Sequence, residues 1–368
     1  MRTFAFAAAL FASTSAYAQG TIGVNLTNAD RLSPTKLQSA LSTQQTLGVR
    51  VIRASLEKYN GSYTPSLNMV QAAWQHGIRV NLIITLPNNP DYYPAGTAMR
   101  PADPNNPVIY AAYPLSALVV QQLTDVVGPL LQQIDGLGIK LAGIELGNEI
   151  GNPAFNGDLA IIGPSGGVTL GLRDLINGAT SETQALASGY RTYVQALAAI
   201  QAIRDNLVTN QTTPVISAGL HTPADTSIVG YKLPTTEDAV LLNAALSFMR
   251  ANGLDNYADQ YGVHAYLWGS QSQIANELQS FVLTQCAVPG SGSAKPCAIT
   301  EWGFHISDPG QCPANDGPRQ VSAQNFRTDT AAYGSAVASQ FYFDWSSLAL
   351  GIYLCGSLQG SGVIALSP

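Results

Sequence analysis

The sequence predicts an α/β chain folded as a (β/α)8 TIM barrel, in a single domain with long loops after strands 3 and 4. Three observations carry this expectation. Eight short apolar runs rich in β-branched residues recur along the sequence, longer amphipathic segments alternate with them, and the alternation fills about 350 residues. Strands buried on both faces read as near-continuous apolar runs, and strand–helix alternation over this length favours eight parallel strands closed into a barrel. A doubly wound open sheet is the rival. It would call for a Gly-x-Gly-x-x-Gly turn after the first strand, which Gly23-Val24-Asn25-Leu26 does not supply.

The elements follow in order. Arg2, the apolar run 4–11 and Ala16-Tyr17-Ala18 have the three parts of a cleavable signal peptide, so residues 1–18 are expected to be removed and 19–368 to form the barrel domain. That apolar stretch is too short to span a bilayer, and export to a secreted or periplasmic location without membrane insertion is expected. Strands are predicted at 22–26, 50–54, 79–85, 140–146, 214–219, 260–265, 297–300 and 341–343. Helices are predicted at 36–47, 67–76, 116–134, 190–206, 236–252 and 273–284, three of them closed by Gly48, Gly77 and Gly253 as left-handed caps. Two connections are long: 87–114, with Tyr92, Tyr93, Tyr110 and Tyr113, and 150–188, with a Gly-rich run at 163–167. Both leave the carboxyl ends of strands, where barrel enzymes build their sites.

Composition narrows the partners. With 46% hydrophobic and 11% charged residues and a net charge of -6, the chain has a full core and a sparsely charged surface. No basic patch is present to hold phosphates, which argues against nucleic acid; an uncharged polymer such as a polysaccharide fits better. The four cysteines, Cys286, Cys297, Cys312 and Cys355, suggest two disulfides in an exported chain, with Cys286–Cys297 and Cys312–Cys355 the favoured pairs of three possible connectivities. A monomer is expected.

Two glutamates carry the chemistry. Glu149 closes Leu141–Glu149 (LAGIELGNE), and Glu301 stands in CAITEWGF at 297–304. Carboxyls at the ends of two buried strands are what a retaining glycosidase requires: a nucleophile and an acid/base. Burial is expected to raise the Glu149 pKa and keep it protonated as the acid, with Asn148 placed to bond a sugar hydroxyl. Glu301 reads as the nucleophile, with Trp302 as a candidate sugar-packing ring and Arg53 as an ion-pair partner. Glu145, deeper on the same strand as Glu149, reads as structural. His221, His305, Trp268, Asp344 and Asn25 remain open between pocket and packing roles, while Arg100 and Arg173 could reach in from the long loops.

With these residues placed, the chain resembles the clan A glycoside hydrolases, the retaining (β/α)8 glycosidases. The resemblance rests on Asn148-Glu149 after strand four and Glu301 after strand seven, and extends to Arg53, His264, Tyr266 and Trp345. It implies that Arg53, His264, Tyr266 and Trp345 orient the nucleophile and line the subsite of the reacting sugar. It also implies double displacement on a β-linked glycan with no metal and no organic cofactor. Ile150 stands where many clan members have proline, and the family within the clan is unassigned.

Other chemistries lack their residues. The four histidines, His76, His221, His264 and His305, contain no His-x-His pair for a metal-dependent hydrolase. None of the five lysines ends a predicted strand, as a Schiff-base enzyme requires. A non-catalytic carbohydrate-binding barrel is the alternative function.

Overall fold

The computed structural model describes residues 20–107, 109–162, 167–221, 238–266, 271–279, 285–286, 295–306, 308, 310–347 and 350–367. The expected signal peptide, most of the 163–167 run and Trp268 lie outside the described residues.

Eight parallel strands form one sheet: β1 (Thr21–Asn25), β2 (Val51–Leu56), β3 (Arg79–Ile84), β4 (Gly143–Leu146), β5 (Val215–Ile216), β6 (Tyr261–Ala265), β7 (Cys297–Trp302) and β8 (Val337–Tyr342). Their order in the sheet is β5-β4-β3-β2-β1-β8-β7-β6. Parallel bridges Ile216–Gln260 and Leu220–Val263 join β5 to β6 and close the barrel. Apolar side chains buried along these strands explain why the sequence showed them as continuous runs.

The principal helices are α1 (Pro34–Thr46), α2 (Thr64–Gln75), α3 (Val120–Gly136), α4 (Leu172–Asn177), α5 (Ser181–Asp205), α6 (Leu242–Ala251), α7 (Gln271–Leu278), α8 (Gly317–Ala331) and α9 (Gly360–Leu366). Helix α3 shows the packing logic: Leu123, Val127, Leu131 and Ile134 recur at helical spacing and are all buried. Gly48, Gly77 and Gly253 take positive φ after α1, α2 and α6, as expected of left-handed caps. Both favoured disulfides are present, Cys286–Cys297 and Cys312–Cys355. No helix among the described residues is long and apolar enough to cross a membrane.

One interior layer is polar. Asn25 on β1, Arg53 on β2, Asn81 on β3 and Gly143 on β4 are successive register partners across the sheet. A β-carbon at Gly143 would stand 2.2 Å from Asn81 Oδ1, so the missing side chain there makes room for the amide. Barrels usually fill such layers with branched apolar residues.

The long loops form a joined wall. In the 87–114 connection Tyr93 stacks on Tyr113 at 4.5 Å, and the Tyr113 N–H donates to the Pro87 carbonyl. Arg100 donates to the carbonyls of Tyr110 and Pro153, and Gly157 N–H to Tyr113, tying this loop to the one after β4. Tyr92 and Tyr93 are buried, so these rings pack the wall.

Candidate active site

The site gathers at the carboxyl ends of the strands. After β4 the chain turns sharply: Gly147 has φ 80° and Glu149 φ 40°. A side chain other than glycine in this left-handed region costs about 1–3 kcal/mol, and the surroundings must hold it there. Here the Glu149 N–H donates to Gly219 O at 2.7 Å, and the Asn152 N–H to Glu149 O at 2.7 Å. Glu149 is thereby aimed at β6, where His264 Nδ1 meets its Oε1 at 2.7 Å, while Asn152 Nδ2 donates to Oε2 at 3.1 Å.

Glu301 is aimed by a different device. The register of β7 slips by one residue against both neighbours: Ile299 pairs Val263 and Gln340, whereas Glu301 pairs His264 and Trp302 pairs Tyr342. This bulge re-aims the side chain at the strand end. Arg53 Nη1 donates to Glu301 Oε1 at 2.6 Å, and the Tyr266 hydroxyl donates to Oε2. His264 Nδ1 lies 3.5 Å from the same Oε2, so the histidine stands between the two carboxylates.

Arg53 is the hub. All five of its N–H groups are used: Nε and one Nη2 hydrogen on Glu145, the other Nη2 hydrogen on Asn148 Oδ1, and Nη1 on Asn25 Oδ1 and Glu301 Oε1, every distance between 2.6 and 2.8 Å. Asn81 Nδ2 adds a bond to Glu145 Oε2 at 2.9 Å. Burial opposes the charge on Arg53, but Glu145 and then Glu301 outweigh it and push the guanidinium pKa up. The bond from Arg53 to Asn148 Oδ1 also fixes the flip of that amide, leaving Nδ2 as its donor side.

The protonation of Glu149 differs from the sequence-based expectation. Burial does act to raise its pKa, and is the largest single influence. The hydrogen bond and charge of His264, with His221 and Arg53 behind them, outweigh it and hold the carboxyl below the usual carboxylate range. Burial drives the His221 pKa down, with Glu149 pulling the other way. Tyr266 is held protonated by burial and then by the adjacent Glu301 charge, as a donor to that carboxylate must be.

Six of the eight sequence-selected residues come together: Arg53, Asn148, Glu149, His264, Tyr266 and Glu301. Two stand apart from this hydrogen-bonded group. Trp302 is 1% exposed and stacks on Phe326 of α8 at 4.1 Å, because consecutive strand residues point to opposite faces and Glu301 takes the inner one. Trp345 is buried with its ring stacked on Tyr353 at 5.0 Å. Asn25 and Glu145 belong to the cluster through Arg53, and His221 packs edge-on against Tyr266 at 5.7 Å. Asp344 accepts from Thr27 Oγ1 and the Ser347 N–H instead. Arg173 is exposed on α4.

One ligand atom each from Glu149, His264 and Glu301 lie within 4.8 Å of one another, close enough to surround a cation. Each of these atoms already serves a hydrogen bond or faces a partner, and the Arg53 guanidinium bonds one of the carboxylates. The grouping therefore reads as a proton-sharing cluster. Chemically, it offers two convergent carboxylates, one gripped by a cation and a phenol, the other by an imidazole.

No family model and no curated protein matches the sequence. Solved structures do. The chain is similar to a structure from a study of two fungal β-1,4-galactanases (14% identity, 93% of each chain, TM-score 0.56) and to the endo-1,4-β-mannanase of Rhizomucor miehei (12%, 94% and 93%, TM-score 0.53). It is also similar to the catalytic domain of β-amylase from Paenibacillus polymyxa (12%, 94% and 97%, TM-score 0.54). At these identities the likeness establishes the barrel fold; the chemistry has to come from the site.

Proposed function

We propose that the chain is an exported retaining β-glycosidase of the clan A type, hydrolysing O-glycosidic bonds of a β-linked poly- or oligosaccharide. One observation carries the reading: Glu149 and Glu301 present carboxylate oxygens within 4.8 Å of each other at the barrel mouth. Retaining enzymes keep their carboxyls about 5–5.5 Å apart, whereas inverting ones leave about 6.5–9.5 Å for a water. The similar folds of the galactanase and the mannanase support a carbohydrate substrate.

In this mechanism Glu301 attacks the anomeric carbon while Arg53 and Tyr266 hold its two oxygens in place. Glu149 donates a proton to the departing oxygen and then takes one from water, releasing the sugar with net retention. The free site keeps Glu149 ionised against His264. A bound sugar displaces water from the mouth and adds to the desolvation that favours the protonated carboxyl, bringing Glu149 to the acid form when it is needed. Asn148 offers Nδ2 to a sugar hydroxyl beside the reacting carbon. The chemistry uses no metal or organic cofactor.

The test is hydrolysis of β-linked polysaccharides and aryl β-glycosides, with the first-formed anomer read by proton NMR. Retained product is expected, and Glu149→Gln and Glu301→Gln should each lower kcat by about 10²–10⁴-fold on an unactivated glycan. An inverted product sinks the assignment. Glycan binding by a wild type without turnover would establish the carbohydrate-binding alternative.

A further inference from the structure

We propose that Glu145 is a positioning residue for the nucleophile: by engaging Arg53 from behind it sets the direction and strength with which Arg53 holds Glu301. The proposal rests on the glycosidase reading above and deepens it.

The geometry is that of a clamp. Glu145 is fully buried and takes Arg53 Nε and Nη2 in a bidentate grip, each at 2.8 Å. A planar fork held on two of its nitrogens cannot rotate, so the remaining nitrogen, Nη1, has one direction left. That direction is Glu301 Oε1, with Asn25 taking the second hydrogen. Glu145 is itself fixed by Asn81, which is seated in the space that Gly143 leaves open. Four strands thus cooperate to aim one N–H.

Charge gives a second reason. Arg53 serves two carboxylates with one positive charge, and the groups facing Glu301 are Arg53 from β2, Glu149 after β4, His221 after β5, and His264 and Tyr266 at β6. With Arg53 committed to Glu301 alone, the nucleophile would be over-stabilised as a free carboxylate and would attack more slowly. Glu145 draws part of that charge away. A barrel interior needing only cohesion gains nothing from a buried ion cluster, since well-packed apolar side chains of the same volume serve equally well or better.

The experiment compares wild type with Glu145→Gln on an aryl β-glycoside that wild type turns over, following kcat/KM against pH and the melting temperature. The acidic limb should move down by about one pH unit, with plateau kcat/KM reduced about tenfold. Glu145→Gln combined with Asn81→Asp, which restores a carboxylate beside the clamp, should bring the limb back toward wild type. A limb that stays in place or moves up, with only the melting temperature changed, overturns the proposal. If Glu145→Gln gives no cooperative melt, Asn81→Ser takes its place: it loosens Glu145 while keeping its charge, and an unchanged kcat overturns the proposal. Absence of wild-type turnover overturns the glycosidase reading and this one with it, whereas an active wild type with an unmoved limb overturns this one alone.

Discussion

Glu149 combines two demands that pull against each other: a left-handed backbone and an ionised side chain that is largely, not fully, withdrawn from water. The depressed pKa has a thermodynamic sign. The ionised carboxylate adds stability above the ordinary carboxylate range, and that share is lost as the pH falls through the lowered folded-state value. Glu149→Gln keeps the shape without the charge. Its melting temperature should lie below that of wild type at about pH 6, and the gap should narrow as the pH falls below the ordinary carboxylate range, where the native carboxyl takes up its proton too. Calorimetry across this range checks it; a gap that stays constant shows that the charge contributes nothing. The residue scale also shows what strand periodicity offered. Neighbours on a strand point to opposite faces, so Glu301 and Trp302 could not both face the pocket, and the aromatic signal at Trp302 belonged to packing against α8.

Among the elements, the connection after β4 is tied down by its own acid pair. Glu182, at the start of α5, accepts the Ala160 N–H, and Asp238 accepts the Val168 N–H. Burial and then the bond to Asp238 raise the Glu182 pKa to about 7, with the Ala160 bond opposing. An acid raised in the folded state favours folding below its ordinary pKa, and this advantage is lost as pH rises through the raised value. Glu182→Gln imitates the protonated form, so it should raise the melting temperature at about pH 8 and leave it nearly unchanged at about pH 5. Equal shifts at both values would show that the pair does not share a proton. This connection was also where the sequence was hardest to read. The first turns of α5, Ser181 to Gly189, carry a polar pattern that reads as loop, and α8, with its polar GPRQVSAQNFRTDTA, has too thin an apolar face to show as a helix. The β-branched runs were readable because strands covered on both sides need continuous apolar sequence.

For the molecule as a whole, both cross-links act on the final quarter of the chain, which includes β7 and β8. Cys286–Cys297 closes 11 residues and ties the first residue of β7; Cys312–Cys355 closes 43. Loop-closure entropy makes the longer bridge worth about 4 kcal/mol and the shorter about 3. Replacing each pair by alanine should therefore lower the denaturation midpoint more for Cys312/Cys355, and the reverse order would show that the shorter bridge acts through the native state. At this scale the barrel was readable from strand count and spacing. The binding network was only half readable, because Asn25, Arg53, Asn81 and Glu145 meet through strand register and not through any local motif.

The saturation of Arg53 has a consequence for what the pocket can accept. A guanidinium with every hydrogen spent on the protein is part of the wall, and an incoming sugar acid finds no salt-bridge partner in it. Its positive charge acts through space on Glu149 as well as on Glu301 and is already balanced by the carboxylates around it. Donors for a sugar's own groups therefore have to come from other side chains at the mouth, the Asn148 amide among them.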